Sequence, residues 1–159
     1  MKPLDLARLV ISIVLCQSAG VIGSIFTARS VSTWYPTLRR PFFNPPSWVF
    51  GPVWITLYLL MGISLFLVWR KGVGTAQVRV AIVAFAVQLI LNAAWSGAFF
   101  GLRSPLAGLI VILLLWVAIS VTMVLFRQIS ALASLILIPY IAWVSFAAIL
   151  NASIYALNR

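Results

Sequence analysis

Five uncharged stretches, each bounded on both sides by arginine, constrain this chain more than any other feature. They run Leu9–Ala28, Pro41–Trp69, Val80–Leu102, Ser104–Phe126 and Gln128–Asn158. A helix needs about 20 residues to cross roughly 30 Å of hydrocarbon, and every stretch meets that length. With 64% of the 159 residues hydrophobic and 8% charged, a water-soluble domain could not cover its own apolar surface. Lipid offers no partner to backbone polar groups, so the spans must be helices. The expected fold is an all-α membrane protein, a five-transmembrane-helix bundle forming one domain over residues 1–159. The spacing predicts helices at about 6–26, 47–69, 80–100, 105–126 and 131–157, with a structured proline/aromatic loop over 27–46. The first apolar run is longer than a signal-peptide core and lacks a cleavage site, so it reads as a retained helix.

The net charge of +10 comes from 11 basic residues against one acid, Asp5. In a soluble chain that excess would point to nucleic acid. Here the basic residues punctuate the spans, so headgroup anchoring accounts for them and no nucleic-acid partner is expected. They divide almost evenly between the two ends of the spans, which leaves the orientation open. Histidine and glutamate are absent, and the single cysteine, Cys16, allows no intrachain disulfide. No carboxylate pair, metal cluster or Ser-His-Asp set can be assembled, so no cofactor is expected and acid–base hydrolysis is excluded within one chain. A proton-coupled exporter needs an ionisable group inside the bilayer, and the spans carry none. What remains is an aromatic pocket with amides and hydroxyls, suited to flat apolar molecules.

The most irregular stretch is Trp34 to Trp54, which holds Pro36, Pro41, Pro45, Pro46 and Pro52 among dense aromatics, with Arg39 and Arg40 in its middle. Proline fixes φ, removes a donor and pushes its predecessor toward extended geometry, so most of this stretch is not regular helix. Two readings fit it: a lid over a flat apolar ligand, or an interfacial aromatic belt with arginines at the headgroups. Ser47 is the expected N-cap of the second helix.

Within the spans, polar and small residues recur at helical spacing. Gln17, Gly20 and Ser24 share one face of the first. On the third, Gln88, Asn92 and Ser96 form a polar stripe flanked by Trp95 and Phe99. A mid-membrane amide faces protein, ligand or cavity, so the stripe is either a pocket wall or an interhelical hydrogen bond. Ala93, Gly97 and Gly101 form a small-residue stripe suited to internal packing or to a homodimer seam. The fourth span, closed by Arg127, reads as a lipid-facing scaffold. Pro139 should kink the fifth, beyond which Trp143, Ala147 and Asn151 align.

Three motifs in this order resemble the TspO/MBR family, the translocator proteins or peripheral-type benzodiazepine receptors. They are Trp34-Tyr35-Pro36-Thr37-Leu38-Arg39-Arg40-Pro41-Phe42-Phe43-Asn44-Pro45-Pro46, Asn92-Ala93-Ala94-Trp95-Ser96-Gly97-Ala98-Phe99-Phe100-Gly101, and Pro139-Tyr140-Ile141-Ala142-Trp143-Val144-Ser145-Phe146-Ala147-Ala148-Ile149-Leu150-Asn151. The resemblance covers nearly the whole chain. It implies a five-helix bundle, often a homodimer, in a bacterial cell membrane. It also implies a receptor or carrier that binds protoporphyrin IX or haem and isoquinoline carboxamide-type ligands, with sterols described for animal members. Some bacterial members are reported to degrade protoporphyrin in light with two pocket tryptophans, at positions matching Trp54 and Trp143. Family pocket positions also match Tyr35, Asn92, Trp95, Phe146 and Ala147. Many relatives carry an acid where this chain has Val111.

The candidate ligand-binding residues are therefore Tyr35, Pro45, Trp48, Trp54, Gln88, Asn92, Trp95, Phe99, Trp143, Phe146, Ala147 and Asn151. Arg39 and Arg40 are candidate propionate contacts, and Leu150, Tyr155 and Arg159 match a sterol-recognition pattern. Three functions stay open: tetrapyrrole receptor or carrier, Trp-dependent photo-oxidase, and stress-regulatory membrane scaffold.

Overall fold

The computed structural model describes residues 3–159. Five of its segments are long and apolar enough to cross a membrane: Pro3–Val31, Ser47–Trp69, Ala76–Gly101, Pro105–Ile129 and Ala131–Leu157. The elements are α1 (Pro3–Val31), a single 3-10 turn (Tyr35–Thr37), α2 (Ser47–Trp69), α3 (Ala76–Ser96), a π turn (Gly97–Gly101), α4 (Pro105–Ile129), α5 (Ala131–Ile136) and α6 (Ile138–Leu157). The second span has the expected limits. Others run further: α1 reaches Val31 rather than Phe26, with Arg29 in its last turn complementing the helix dipole. The third span begins at Ala76, where Thr75 caps it by accepting from the Val78 N–H at 3.4 Å. Arg127 does not close α4, which continues to Ile129 before Ser130 turns to extended backbone. Ser47 is the first helical residue and not the cap: Pro46 occupies the N-cap without a side-chain bond.

Lipid supplies no hydrophobic drive between helices, so contact depends on close backbone approach and shared hydrogen bonds. Gly62 of α2 shows the approach: a Cβ built there would lie 2.7 Å from the Ile13 Cα of α1. The small-residue stripe of the third span is likewise used inside the bundle. Gly97 and Gly101 receive the Phe26 ring of α1, which a Cβ at Gly101 would meet at 3.0 Å. The fourth span is two-sided: Gly108, Ile112, Leu115, Ile119, Thr122 and Phe126 are buried, while Leu113, Leu114 and Val117 face outward.

Pro139 breaks the fifth span into α5 and α6 at Leu137, because its ring excludes the carbonyl four residues back and it has no N–H to donate. Serine hydroxyls tie the short piece to its neighbours. Ser64 donates to the Ala133 carbonyl at 2.7 Å, and Ser134 to the Met123 carbonyl at 2.9 Å.

Replacing Gly62 with valine should force α1 and α2 apart, at a cost of about 1–3 kcal/mol by analogy with overpacked cores. A thermal melt of the detergent-solubilised protein checks it: the midpoint should fall, and an unchanged midpoint would show that the helices do not meet there.

Candidate functional site

Three of the helices are tied together away from the loop. The tie is a chain of polar side chains. The Tyr58 hydroxyl of α2 donates to Asn92 Oδ1 of α3. Asn92 Nδ2 donates to the Tyr140 hydroxyl of α6 at 2.9 Å, and that hydroxyl donates to Gln88 Oε1 at 2.8 Å. Gln88, Asn92 and Tyr140 are almost fully buried. Three helices thus share one network, and each bond replaces an otherwise unsatisfied group.

Beside this network, and between it and the loop, lies a cavity of about 470 Å³ bounded by α1, α2, α3, the π turn and α6. That volume falls within the roughly 300–1,000 Å³ range of small-molecule sites. Trp54, Tyr58, Trp95, Phe99 and Phe100 form its aromatic wall, and Ala147, Leu150, Asn151 and Ile154 its α6 wall. The π turn matters locally: the Leu102 N–H reaches back to the Gly97 carbonyl at 2.8 Å, and the wide turn helps bring the consecutive rings Phe99 and Phe100 both onto the cavity. Ring centroids run Trp95–Phe99 5.8 Å, Trp54–Trp95 6.3 Å and Trp54–Tyr58 5.6 Å, a nearly continuous aromatic surface. Asn151 holds Trp95 in place, accepting its indole N–H at 3.2 Å while donating to the Pro105 carbonyl at 2.7 Å. On α1, Gly20, Gly23 and Ser24 leave room, and the Gln17 amide donates to the Ile55 carbonyl at 3.1 Å.

The loop closes the cavity with Tyr35, which is buried against Phe99 and Phe100. Its hydroxyl donates to Asn44 Oδ1 at 2.6 Å, and the Arg40 guanidinium sits 5.4 Å from its ring centroid. Burial raises the Tyr35 pKa above the ordinary tyrosine value, against the Arg40 charge and the Asn44 bond, which lower it, so the phenol stays a neutral donor. Both readings of the loop hold in part. Tyr35 forms a lid, while Phe42 and Trp48 stand out as an interfacial belt would, Trp48 with 76% of its surface exposed.

The structure brings together Tyr35, Trp54, Trp95, Phe99, Ala147 and Asn151 of the expected residues, with Leu150 from the sterol pattern. The rest are placed elsewhere. Gln88 and Asn92 do not line the cavity: both amide groups of Asn92 bond the tyrosines, and Gln88 accepts from Tyr140 through Oε1 while its Nε2 lies buried without a partner. Trp48 points outward, and Pro45 lines an outer polar groove with Arg40 and Asn44. Trp143 and Phe146 form a second layer; Trp143 packs edge-on to Phe50 at 5.9 Å, and Phe50 separates it from the cavity. Arg39 is exposed, and Arg40 touches the site only through Tyr35. Leu150, Tyr155 and Arg159 form no single surface: Leu150 is buried at the cavity, Tyr155 lies about 140° around the helix, and Arg159 lies beyond its end. Sequence reasoning missed Tyr58, Phe100 and most of the α1 wall. Only the Gln17–Gly20–Ser24 face signalled the last. Among the described residues, no group of three or more His, Cys, Asp or Glu could hold a metal ion.

Replacing Tyr140 with phenylalanine strands Asn92 Nδ2 and Gln88 Oε1, at an expected cost of about 1–2 kcal/mol, between the membrane average and the penalty of a buried unpaired group. A lowered unfolding midpoint in detergent is the expected result; full stability would show the network to be slack.

The sequence profile of the TspO/MBR family matches residues 12–157. The tryptophan-rich protein TspO of Chlorobaculum tepidum is 49% identical over 154 residues, covering 97% of this chain and 98% of its own. The human translocator protein is 40% identical over 139 residues, covering 87% of this chain and 82% of its own. The tryptophan-rich sensory protein of Cereibacter sphaeroides is 30% identical over 155 residues, covering 98% and 94%.

Proposed function

The chain belongs to the TspO/MBR family, and from that premise and the cavity's chemistry we propose that it is a receptor or carrier for a tetrapyrrole such as protoporphyrin IX or haem. Its five apolar spans and bacterial relatives make it a multi-pass integral protein of the bacterial cell membrane. The observation that carries the reading is the cavity wall of Trp54, Trp95, Phe99 and Phe100, closed at the loop by Tyr35. Such a wall offers stacking area to a flat apolar ring system and has few free polar groups to discriminate its edge. Asn151 is occupied by Trp95 and Pro105, so ligand edge contacts fall to the hydroxyls of Ser24, Thr27, Ser47 and Ser96 and to the Gln17 amide oxygen. Arg40, at the loop end of the cavity, is placed to meet a propionate at headgroup level, where an ion pair escapes full desolvation. The same slot would accept an isoquinoline carboxamide.

A light-dependent activity is a second reading, favoured by the closeness of Trp54 to both Trp95 and Tyr58. Trp54 would supply an electron to an excited porphyrin held against it. Trp143, screened by Phe50, would be a slower donor. Illuminated protoporphyrin should then lose its Soret band more slowly with Trp54→Phe than with Trp143→Phe; equal bleaching in both variants and without protein would reject the reading.

Binding is tested by titrating protoporphyrin IX and following quenching of tryptophan fluorescence. Ala147→Phe fills the cavity and should abolish saturable quenching. Trp54→Ala should weaken affinity by about tenfold, the scale of one lost aromatic stack with its buried area. Trp48→Ala, altering an outward ring, should leave affinity unchanged. Wild-type affinity in Ala147→Phe would place the ligand elsewhere.

A further inference from the structure

The loop that carries Tyr35 is fastened to the bundle by one side chain at the far end of the sequence. Asn158 follows the last turn of α6, and its amide contacts Arg39 across 119 positions. Its Oδ1 accepts the Arg39 N–H at 3.0 Å and its Nδ2 donates to the Arg39 carbonyl at 2.9 Å, as a neighbouring strand would for one residue. The same Nδ2 donates to the Ile154 carbonyl at 2.8 Å, one of the carbonyls that the end of α6 leaves without a helical partner. Both N–H groups and the oxygen of the carboxamide are thus used, and the side chain is braced on its own helix while it grips the loop.

No other polar contact does this. Among the described residues, the remaining hydrogen bonds of residues 32–46 stay within the loop or reach the adjoining turns of α1 and α2: Trp34 N–H to Ser30, Thr33 to Arg29, the Thr37 N–H and hydroxyl to Trp34, Leu38 N–H to Tyr35, Tyr35 to Asn44, Asn44 N–H to Pro41, Asn44 Nδ2 to Pro45 and Val49 N–H to Pro46. What else holds the loop is apolar contact by Tyr35, Leu38 and Phe43 with Phe99, Phe146 and their neighbours. Such contact is non-directional, and it does not fix which stretch of backbone faces α6. The clasp does fix it, one residue from Arg40 and four from Tyr35.

We propose that Asn158 is the positioning residue of the loop, and that release of its clasp on Arg39 sets the rate at which a ligand leaves the cavity. The proposal rests on the binding function argued above. Its chemistry is reversible hydrogen bonding at the membrane surface, where water competes for the Arg39 peptide. Opening therefore exchanges one set of bonds for another at modest cost. A loop freed at Arg39 can lift Tyr35 from Phe99 and uncover the cavity from its end while the network around Asn92 stays intact.

The test compares wild type with Asn158→Ala and Asn158→Leu, the latter keeping the side chain's bulk. Protoporphyrin IX is loaded in detergent micelles and its release into excess lipid vesicles is followed by stopped-flow fluorescence. Amide hydrogen exchange is read on the same proteins without ligand. Both variants should release porphyrin about tenfold faster, the effect of two hydrogen bonds of ordinary strength. Association should also quicken, so affinity shifts less than the release rate. The Arg39 amide should exchange faster while amides around Tyr58 and Asn92 keep their protection. An unchanged release rate overturns the proposal, as does faster release with lost protection in α2 and α3, which marks damage to the bundle. Should wild type fail to bind porphyrin, the functional reading falls, and Arg39 exchange alone decides the clasp: faster in the variants supports it, unchanged overturns it.

Discussion

Three helices of this protein are held by one run of four polar side chains, Tyr58, Asn92, Tyr140 and Gln88, closed at membrane depth where no water competes. The bilayer makes that run consequential. Apolar surfaces gain nothing by leaving lipid for one another, so the bundle depends on close contacts and on the few groups that lipid cannot satisfy. The cavity lies between this network and the loop, walled by α2, α3 and α6 together with α1, and Tyr58 belongs to both network and wall. Its inner limit is therefore set by where the amides and tyrosines lie along their helices.

The same constraint explains the division of labour among polar and aromatic residues. The Asn92 amide and the Gln88 Oε1 are structural, bonded to tyrosines, and Asn151 is spent on Trp95 and the Pro105 carbonyl. The surfaces left facing the cavity are rings and small side chains. Glycines make the remaining space. Gly20 lies against Tyr58, Gly23 beside Ser96 and Gly108 beside Phe99 and Asn151, so a side chain at any of them would press on residues that shape the cavity. A site built this way recognises shape and π surface and discriminates little by hydrogen bonding. That suits a large, flat, nearly apolar ligand taken from a membrane.

The bundle was legible because its cause is local. Charge spacing located all five spans, and Pro139 announced the break that the structure has at Leu137. Helix ends were less legible. Thr27 to Val31 continue α1 although they are polar enough to end a span, because a helix leaving the bilayer needs no apolar side chains. At the site, periodicity singled out residues that are divided: Ser96, Trp95, Ala147 and Asn151 line the cavity, while Gln88, Asn92 and Trp143 of the same alignments do not. It could not say what an inward amide would meet. Asn92 and Asn151 look alike in sequence, yet one lies in the network and the other on the cavity wall. Trp143 and Trp54 look alike too, and only packing shows that Phe50 stands in front of Trp143. The α1 wall was nearly invisible because it is made by absence of side chain.

The most direct measurement is a crystal structure of the protein with protoporphyrin IX bound. The macrocycle should lie against Trp54, Trp95 and Phe99, beneath Tyr35, with the bonds from Asn92 to Tyr58 and Tyr140 unbroken. A macrocycle on the outer face of the helices, or one bound to Asn92 with that network opened, would contradict it.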